Sequence, residues 1–152
     1  KTVQQFASSV AWGTLDYLVI DLPPGTGDAQ LTLAQTIPLT GALIVTTPQT
    51  ASVQVATRGA SLFPKVNVPI LGVVENMSYY PLGGGKRDFP FGQGGGEKVA
   101  AALGTTLLAK LPIDSTLREN ADAGKPIGLA DQKSESAKIF AEIAKAIEGK
   151  MA

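Results

Sequence analysis

The chain has 152 residues, of which 44% are hydrophobic and 17% charged, a composition that predicts one folded domain with one core and excludes a disordered segment. Thirteen basic residues balance thirteen acidic ones, so no overall charge favours nucleic acid or an anionic membrane as a partner. The absence of Cys and His excludes disulfides, thiolate nucleophiles and Cys/His metal sites, which leaves carboxylates, hydroxyls, amides and backbone groups for chemistry.

Apolar runs that are typical of strands alternate with helical patterns along the chain. Strands are predicted at residues 17–22, 42–46, 70–75 and 106–111, and helices at 28–35, 50–63, 97–103 and 115–123, followed by an amphipathic helix around 138–147. This alternation predicts an α/β fold, doubly wound, with a mainly parallel sheet and helices on both faces. The first three strand runs are continuously apolar, as expected of strands buried on both faces.

Two further features concern the class of the chain. Its longest apolar runs, such as residues 41–45, are far shorter than the roughly 20 residues of a membrane helix. Residues 1–6 lack the pattern of a signal peptide, and no initiator Met is present. We therefore expect a cytoplasmic protein that does not cross a membrane, and a chain that was cut or is a fragment.

Asp21 lies at the end of the first predicted strand and is followed by the turn Pro23-Pro24-Gly25. Ligands of open α/β sheets bind at this edge, where a carboxylate can hold Mg²⁺ through water and Gly25 allows a backbone N–H to approach a phosphate. This is the arrangement of a Walker B strand that leads into a γ-phosphate-sensing loop. From the local pattern alone, an Asp that only caps a chain-reversing turn is equally typical.

Gly25-Thr26-Gly27 also resembles the start of the dinucleotide-binding fingerprint Gly-x-Gly-x-x-Gly. Position 30 is Gln where the third glycine belongs, and an acid directly before the loop repels a pyrophosphate unless a cation intervenes. The metal–phosphate interpretation is therefore preferred.

Residues 79–96 contain seven glycines among eighteen residues and are predicted to form a long loop. Its last residues, Gly94-Gly95-Gly96, open a helix, where free N–H groups can bind an anion. We favour a flexible entry turn, because no basic or hydroxyl residue follows at P-loop spacing.

Longer stretches of the sequence resemble a known family. The resemblance is to the Mrp/ApbC family of iron–sulfur cluster carrier ATPases, related to MinD and the nitrogenase iron protein, and it covers essentially the whole chain. The first matching stretch is Asp-Tyr-Leu-Val-Ile-Asp-Leu-Pro-Pro-Gly-Thr-Gly-Asp at 16–28, and the part Asp-x-Pro-Pro-Gly-Thr-Gly-Asp at 21–28 is the most specific motif. The other matching stretches are Leu-Thr-Leu-Ala-Gln at 31–35, Thr-Thr-Pro-Gln at 46–49, Gly-Val-Val-Glu-Asn-Met-Ser at 72–78, Phe-Gly-Gln-Gly-Gly-Gly at 91–96 and Leu-Pro-Ile-Asp at 111–114.

The resemblance implies roles for individual residues. Asp21 matches the Walker B aspartate that orders the Mg²⁺ shell, and Gly25 matches the glycine whose amide faces the γ-phosphate. Asn76 is similar to the family's adenine-contacting asparagine, while Pro112 and Asp114 match the loop that borders the base. Asn76 is also a typical turn former, and Asp114 is placed to cap the helix at 115–123, a role that can coexist with base contact.

Two features of the family are absent from these 152 residues. The P-loop, a glycine-rich turn ending in Lys-Ser or Lys-Thr, lies upstream in full-length members. We therefore expect residues 1–152 to be the C-terminal part of one ATPase domain. Many members also carry a Cys-x-x-Cys pair after Asn-Met-Ser, where this chain has Tyr-Tyr-Pro-Leu-Gly at 79–83 and offers no thiolate to a cluster.

The resemblance implies that the full-length protein binds ATP and Mg²⁺ as a homodimer, hydrolyses ATP and delivers iron–sulfur clusters to client proteins. The alternative is a non-catalytic MinD-like nucleotide-sensing or partitioning module that acts through a partner surface. In relatives, the strand that leads into the P-loop lies between those matching residues 17–22 and 42–46. Without it, we expect these two strands to pair directly, to swap between copies, or to need the N-terminal half.

Overall fold

The structure is a computed structural model that describes residue 5 and residues 9–22 and 28–151. Its elements follow the predicted alternation from residue 28 onward. They are α1 (Asp28–Thr36), β1 (Ala42–Thr46), α2 (Thr50–Ala60), a 3₁₀ helix (Phe63–Val66), β2 (Ile70–Gly83), β3 (Lys86–Asp88), α3 (Gly95–Ala102), β4 (Leu107–Pro112), α4 (Ser115–Asp122), α5 (Ile127–Ala130) and α6 (Glu135–Met151).

The sheet is parallel where β1, β2 and β4 pair, with β2 between the other two strands. Glu75 of β2 is opposite Thr46 of β1 and Lys110 of β4, so the carboxyl ends of these strands lie at one edge. β3 pairs antiparallel with the outer half of β2. The doubly wound α/β prediction is confirmed.

Apolar clusters cover both faces of the sheet. On one face, Val73 packs with residues of α2, α3 and the 3₁₀ helix, including Ala60, Val99 and Phe63. On the other face, the neighbouring residue Val74 packs against Leu111 and against Ile143 of α6. Successive residues of a strand point to opposite faces, which is why adjacent valines serve separate clusters. The predicted single core is thus divided by the sheet.

The predicted strand at residues 17–22 does not form. This segment has no strand structure, and the side chains of Tyr17, Leu18 and Val19 are 57%, 46% and 90% exposed. A strand needs a neighbour for its backbone hydrogen bonds, and within the described residues the only strand paired with β1 is β2. Of the three expected outcomes, direct pairing of residues 17–22 with β1 is not formed, while exchange between copies and the need for the N-terminal half stay predictions. β1 exposes Leu43 and Val45 on one face.

The predicted loop at 79–96 is largely ordered as a hairpin. β2 continues to Gly83, and the chain returns through β3. Gly83, Gly84 and Gly85 have φ of 82°, 57° and 77°, in the left-handed region where glycine is favoured, and this permits the tight reversal. The glycines at 83–85 therefore form the tight turn of a hairpin rather than part of a long unstructured loop.

No helix in the described ranges is long and apolar enough to cross a membrane.

Candidate functional site

Three of the five residues expected to bind nucleotide lie at the carboxyl edge of the sheet, namely Asn76, Pro112 and Asp114. Asn76 follows Glu75 on β2, and Pro112 ends β4, where it is opposite Tyr79 of β2. Asp21 is exposed and directly precedes Leu22, the last residue of the described segment 9–22, but it lies in no strand. Gly25 lies outside the described residues. The structure therefore brings the three residues expected to contact the base to one edge, and the base, metal and γ-phosphate roles all stay predictions.

Asn76 does not lie in a turn after a strand, because β2 continues through it. Glu75 and Tyr79 of β2 are opposite Lys110 and Pro112 of β4, so three residues of β2 lie between these pairs against one residue of β4. We call this irregularity, residues 76–78, the bulge. Bulges are common beside active sites, where they re-aim a side chain. The Oδ1 atom of Asn76 accepts a hydrogen bond of 2.9 Å from the N–H of Met77, whose φ of 53° is left-handed.

Glu75 is a buried acid that the sequence analysis missed, and its side chain has no exposed area. Its Oε1 accepts a hydrogen bond of 2.5 Å from the hydroxyl of Ser78, and its Oε2 accepts one of 2.6 Å from the N–H of Gly96. Gly96 lies in the first turn of α3, where the helix dipole favours a negative charge. The sequence feature that could have indicated a buried acid here is the single acidic residue directly after the apolar run at 70–74.

Two of the three glycines, Gly95 and Gly96, are closely packed, so the expectation of a flexible entry turn is wrong for them. A Cβ atom at Gly95 would lie 2.7 Å from both the Cα and the carbonyl oxygen of Pro48, and one at Gly96 would lie 2.8 Å from the Cβ of Glu75. Glycine is required at both positions by this close approach. The sequence also allowed an anion-binding site at the free N–H groups of this helix start. The Gly96 N–H, however, donates to the carboxylate of Glu75, so a group of the chain itself occupies this position.

A second carboxylate holds the first turn of α3 to the sheet. Glu97 Oε1 lies 2.5 Å from Nζ of Lys110 on β4. The hydrogen bond from Lys110 lowers the pKa of Glu97 below its ordinary value. Both side chains are substantially exposed, so the pair contributes little to stability, but it adds a second attachment between α3 and the sheet.

Asp114 is the N-cap of α4. Its Oδ1 accepts hydrogen bonds of 2.9 Å from the N–H of Thr116 and 3.3 Å from that of Leu117, and its Oδ2 accepts one of 2.6 Å from the hydroxyl of Ser136. The hydrogen bond from Ser136 is the main reason why the pKa of Asp114 is lowered, and the capped N–H groups lower it further. The capping alternative is confirmed, and base contact by the same residue stays a prediction.

A cavity of about 250 Å³ opens where β4 ends. Its walls come from the end of β4, the start of α4, the stem of the hairpin and the start of α6; they are formed by Tyr80, Pro81, Pro112, Ile113, Asp114, Ser115, Glu135 and Ser136. The two residues expected to border the base therefore meet in one cavity, whereas Asn76 does not line it.

The hairpin wall of this cavity is fastened to α6. The buried Tyr79 donates a hydrogen bond of 2.7 Å to Oε1 of Glu135, and the guanidinium of Arg87 lies 4.0 Å from the centroid of the Tyr79 ring. Burial, together with the hydrogen bond to Glu135, raises the pKa of Tyr79 to about 12. Arg87 also lies 3.5 Å from Glu135, so the three side chains join β2, β3 and α6.

We expect Ser136→Ala to lower the free energy of unfolding by about 1 kcal/mol at neutral pH, because Asp114 loses a hydrogen bond made to its charged form. A carboxyl whose folded pKa is depressed stabilises the fold above its unfolded pKa of about 4, and this contribution is lost as pH falls through the folded pKa. The difference between wild type and variant should therefore shrink below pH 4 in urea titrations. Ser115→Ala is the control, because the hydroxyl of Ser115 makes no hydrogen bond in the described chain. An equal difference at pH 3 and pH 7 would contradict the account.

Comparison with known proteins assigns the chain to a family. The family model ParA, described as NUBPL iron-transfer P-loop NTPase, matches residues 1–148. An iron-sulfur cluster carrier protein from Synechocystis is 50% identical over 151 residues, which is 98% of this chain and 43% of that protein. The chain spans less than half the length of the first curated relatives that it matches.

Solved structures support the same assignment. A nucleotide-binding protein from Archaeoglobus fulgidus in complex with ADP is 37% identical, with a TM-score of 0.72 over 88% of this chain and 54% of that one. The cell division ATPase MinD from Pyrococcus furiosus is 27% identical, with a TM-score of 0.71 over 97% of this chain and 57% of that one. The expectation that the chain is only the C-terminal part of such a domain is not borne out, since these matches give shares of length and no position. The chain belongs to the ParA family of NUBPL iron-transfer P-loop NTPases.

Proposed function

We propose that the chain supplies the metal side and the base side of the ATP site in an ATP-hydrolysing iron–sulfur cluster carrier. The observation that carries the proposal is the cavity at the carboxyl end of β4, lined by Pro112 and Asp114, with Asn76 on the adjacent strand. Ligands of open α/β sheets bind at this edge. The relatives named as cluster carriers and the ADP-bound neighbour support the same chemistry.

The base side consists of three residues in this proposal. The Asn76 amide pairs with the adenine edge, where Oδ1 accepts from the exocyclic amine and Nδ2 donates to N7. Within the described chain, Nδ2 has no hydrogen-bond partner, whereas Oδ1 is held by Met77. Pro112 offers an apolar surface to the ring, and Asp114 keeps the start of α4 in place beside it.

The metal side is Asp21, and the γ-phosphate contact is assigned in this proposal to Gly25, which lies outside the described residues. Mg²⁺ prefers one or two carboxylates together with water and phosphate oxygens, and the described residues contain no cluster of three or more acidic side chains that would form a protein-only cage. An exposed single carboxylate therefore fits Mg²⁺. When bound, the ion neutralises charge on the phosphates.

The phosphate-cradling P-loop is absent from the 152 residues, so we propose that it is supplied by additional polypeptide. We use "full-length protein" for the chain together with that polypeptide. Binding of ATP as a homodimer, which the resemblance to the Mrp/ApbC family implies, is part of the proposal. The cytoplasmic location stays a prediction.

The cluster is cargo in this proposal, and its ligands must come from outside the chain, which contains no Cys. Anaerobic incubation with iron and sulfide is expected to give the full-length protein the visible absorption of a bound cluster and to leave the isolated chain colourless, because carboxylates and hydroxyls replace thiolates poorly.

The likeness to MinD favours the second candidate, a nucleotide-sensing module that acts through a partner surface. The same reconstitution separates the two functions. A full-length protein that binds nucleotide but retains no cluster would support the sensing module, and stoichiometric cluster on the isolated chain would contradict our placement of the ligands.

A further inference from the structure

Glu75 has no role in the proposed site, yet its carboxylate is fully buried in the central strand. Burying a charged group is costly unless hydrogen bonds replace the lost water, and a valine would pack at such a position without that cost. Both oxygens of Glu75 are bound by neutral donors, the Ser78 hydroxyl and the Gly96 N–H. The nearby Lys110 pairs with Glu97 instead. The contacts of Glu75 are thus directed at two specific backbone segments.

The first contact closes the bulge. Glu75 and Ser78 flank Asn76 and Met77, and their hydrogen bond joins the two ends of the irregular stretch. Met77 has a left-handed φ of 53°, which a non-glycine residue adopts only where the surrounding structure enforces it. The hydrogen bond from Ser78 to Glu75 is one such constraint.

The conformation of the bulge determines the orientation of the Asn76 amide. The N–H of Met77 donates to Oδ1 of Asn76, which assigns Nδ2 to the opposite side of the amide. In this orientation the amide matches adenine, which offers an amine and an acceptor at N7, and it opposes guanine, whose O6 is an acceptor where the amine would be. Base preference at Asn76 therefore depends on the conformation of Met77.

The second contact fixes the helix beside the bulge. The N–H of Gly96 is held by Glu75, and the preceding Gly95 packs on the backbone of Pro48 after β1. Glu75 thus ties the bulge to the start of α3 and, through it, to the loop after the neighbouring strand.

We propose that Glu75 is a positioning residue for nucleotide-base recognition, which it exerts through Ser78 and the bulge. Glu75 itself contacts no nucleotide. It holds the backbone of Met77 so that the Asn76 amide presents the edge complementary to adenine. The inference rests on the proposed function, because it requires that Asn76 contacts the base.

The test uses steady-state hydrolysis of ATP and GTP by the full-length protein. Ser78→Ala removes the contact to the bulge and little volume. We expect it to raise the KM for ATP about fivefold, the effect of one lost hydrogen bond, with kcat unchanged and with reduced preference for ATP over GTP. Asn76→Ala should reduce the preference at least as much. Ser61→Ala is the matched control, because its hydroxyl binds the Arg58 carbonyl at the far end of α2.

Two substitutions of Glu75 separate positioning from general stability. In Glu75→Gln the amide oxygen can accept the Gly96 N–H while the amide nitrogen donates to the Ser78 hydroxyl, so ATP preference should be retained. Glu75→Leu has a similar size without either contact and should lose the preference. The melting temperature of each variant is measured beside its kinetics, and Ser78→Ala keeps the test valid if Glu75→Leu does not fold.

Each outcome decides the inference. If Ser78→Ala lowers the melting temperature but keeps the wild-type preference for ATP, while Asn76→Ala loses it, Glu75 has only a structural role and the proposed function stands. If Asn76→Ala retains the preference, or the wild-type protein binds no nucleotide, the inference fails together with the base-side part of the proposed function. Parallel loss of preference in Ser78→Ala and Asn76→Ala supports the inference.

Discussion

Asp21→Asn in the full-length protein is expected to reduce ATP turnover at least about 100-fold while leaving the fold intact. The substitution removes the charge that orders the Mg²⁺ shell and changes the side-chain volume very little. Because Asp21 is exposed, the folded structure loses no buried contact. The effect should appear in kcat at saturating Mg·ATP, and the circular dichroism spectrum should match that of wild type.

Asp16→Asn is the matched control for this prediction. Asp16 is an exposed acid in the same described segment, five positions before Asp21, so it tests whether any negative charge there supports turnover. We expect Asp16→Asn to retain wild-type kcat. Equal turnover in Asp21→Asn and wild type would refute the assignment of Asp21 as the metal-ordering carboxylate.

The second large effect is expected from Gly95→Ala. Alanine is favoured over glycine in a helix by about 1 kcal/mol, so propensity alone predicts stabilisation. The added Cβ, however, would lie 2.7 Å from the backbone of Pro48, and a backbone yields less easily than the end of a side chain. Overpacking of this kind costs about 3 kcal/mol, so we expect a net loss of about 2 kcal/mol in the free energy of unfolding.

Gly149→Ala in α6 is the control, because a Cβ at Gly149 meets no atom within 4 Å. Here the propensity gain stands alone, and a small increase in stability is expected. Chemical denaturation of the full-length protein without nucleotide measures both variants. A Gly95→Ala protein as stable as the Gly149→Ala protein would show that the close contact between α3 and the loop after β1 is absent in solution.

Elements with strong local signals were predictable from the sequence. The strand at 42–46 has the predicted bounds, and α6 includes the predicted amphipathic stretch, because in both cases the apolar period matches the final packing. The run at 17–22 carries an equally strong apolar signal but remains unpaired. The apolar pattern of a segment indicates that its side chains would be buried in a sheet. Whether a strand forms also depends on a neighbouring strand, which this pattern does not reveal.

The candidate site likewise contains features that the sequence predicts and features that depend on tertiary packing. Pro112 and Asp114 could be placed beside each other from the sequence, because they end one strand and begin the next helix. The contact of Glu75 with Gly96 joins residues 21 positions apart and depends on how closely α3 approaches the sheet. The bulge after Glu75 results from a register shift against β4, which the sequence of β2 alone does not reveal.

The most direct test of the central claim is the hydrolysis of Mg·ATP by the isolated chain and by the full-length protein, measured as phosphate release. The claim is that the chain contributes the metal and base sides of the site and that the P-loop comes from additional polypeptide. Without a P-loop, no lysine and no backbone cradle stabilise the transferring phosphoryl group. We expect turnover by the full-length protein and none by the isolated chain, whereas robust hydrolysis by the isolated chain would show that no additional polypeptide is needed for the phosphate site.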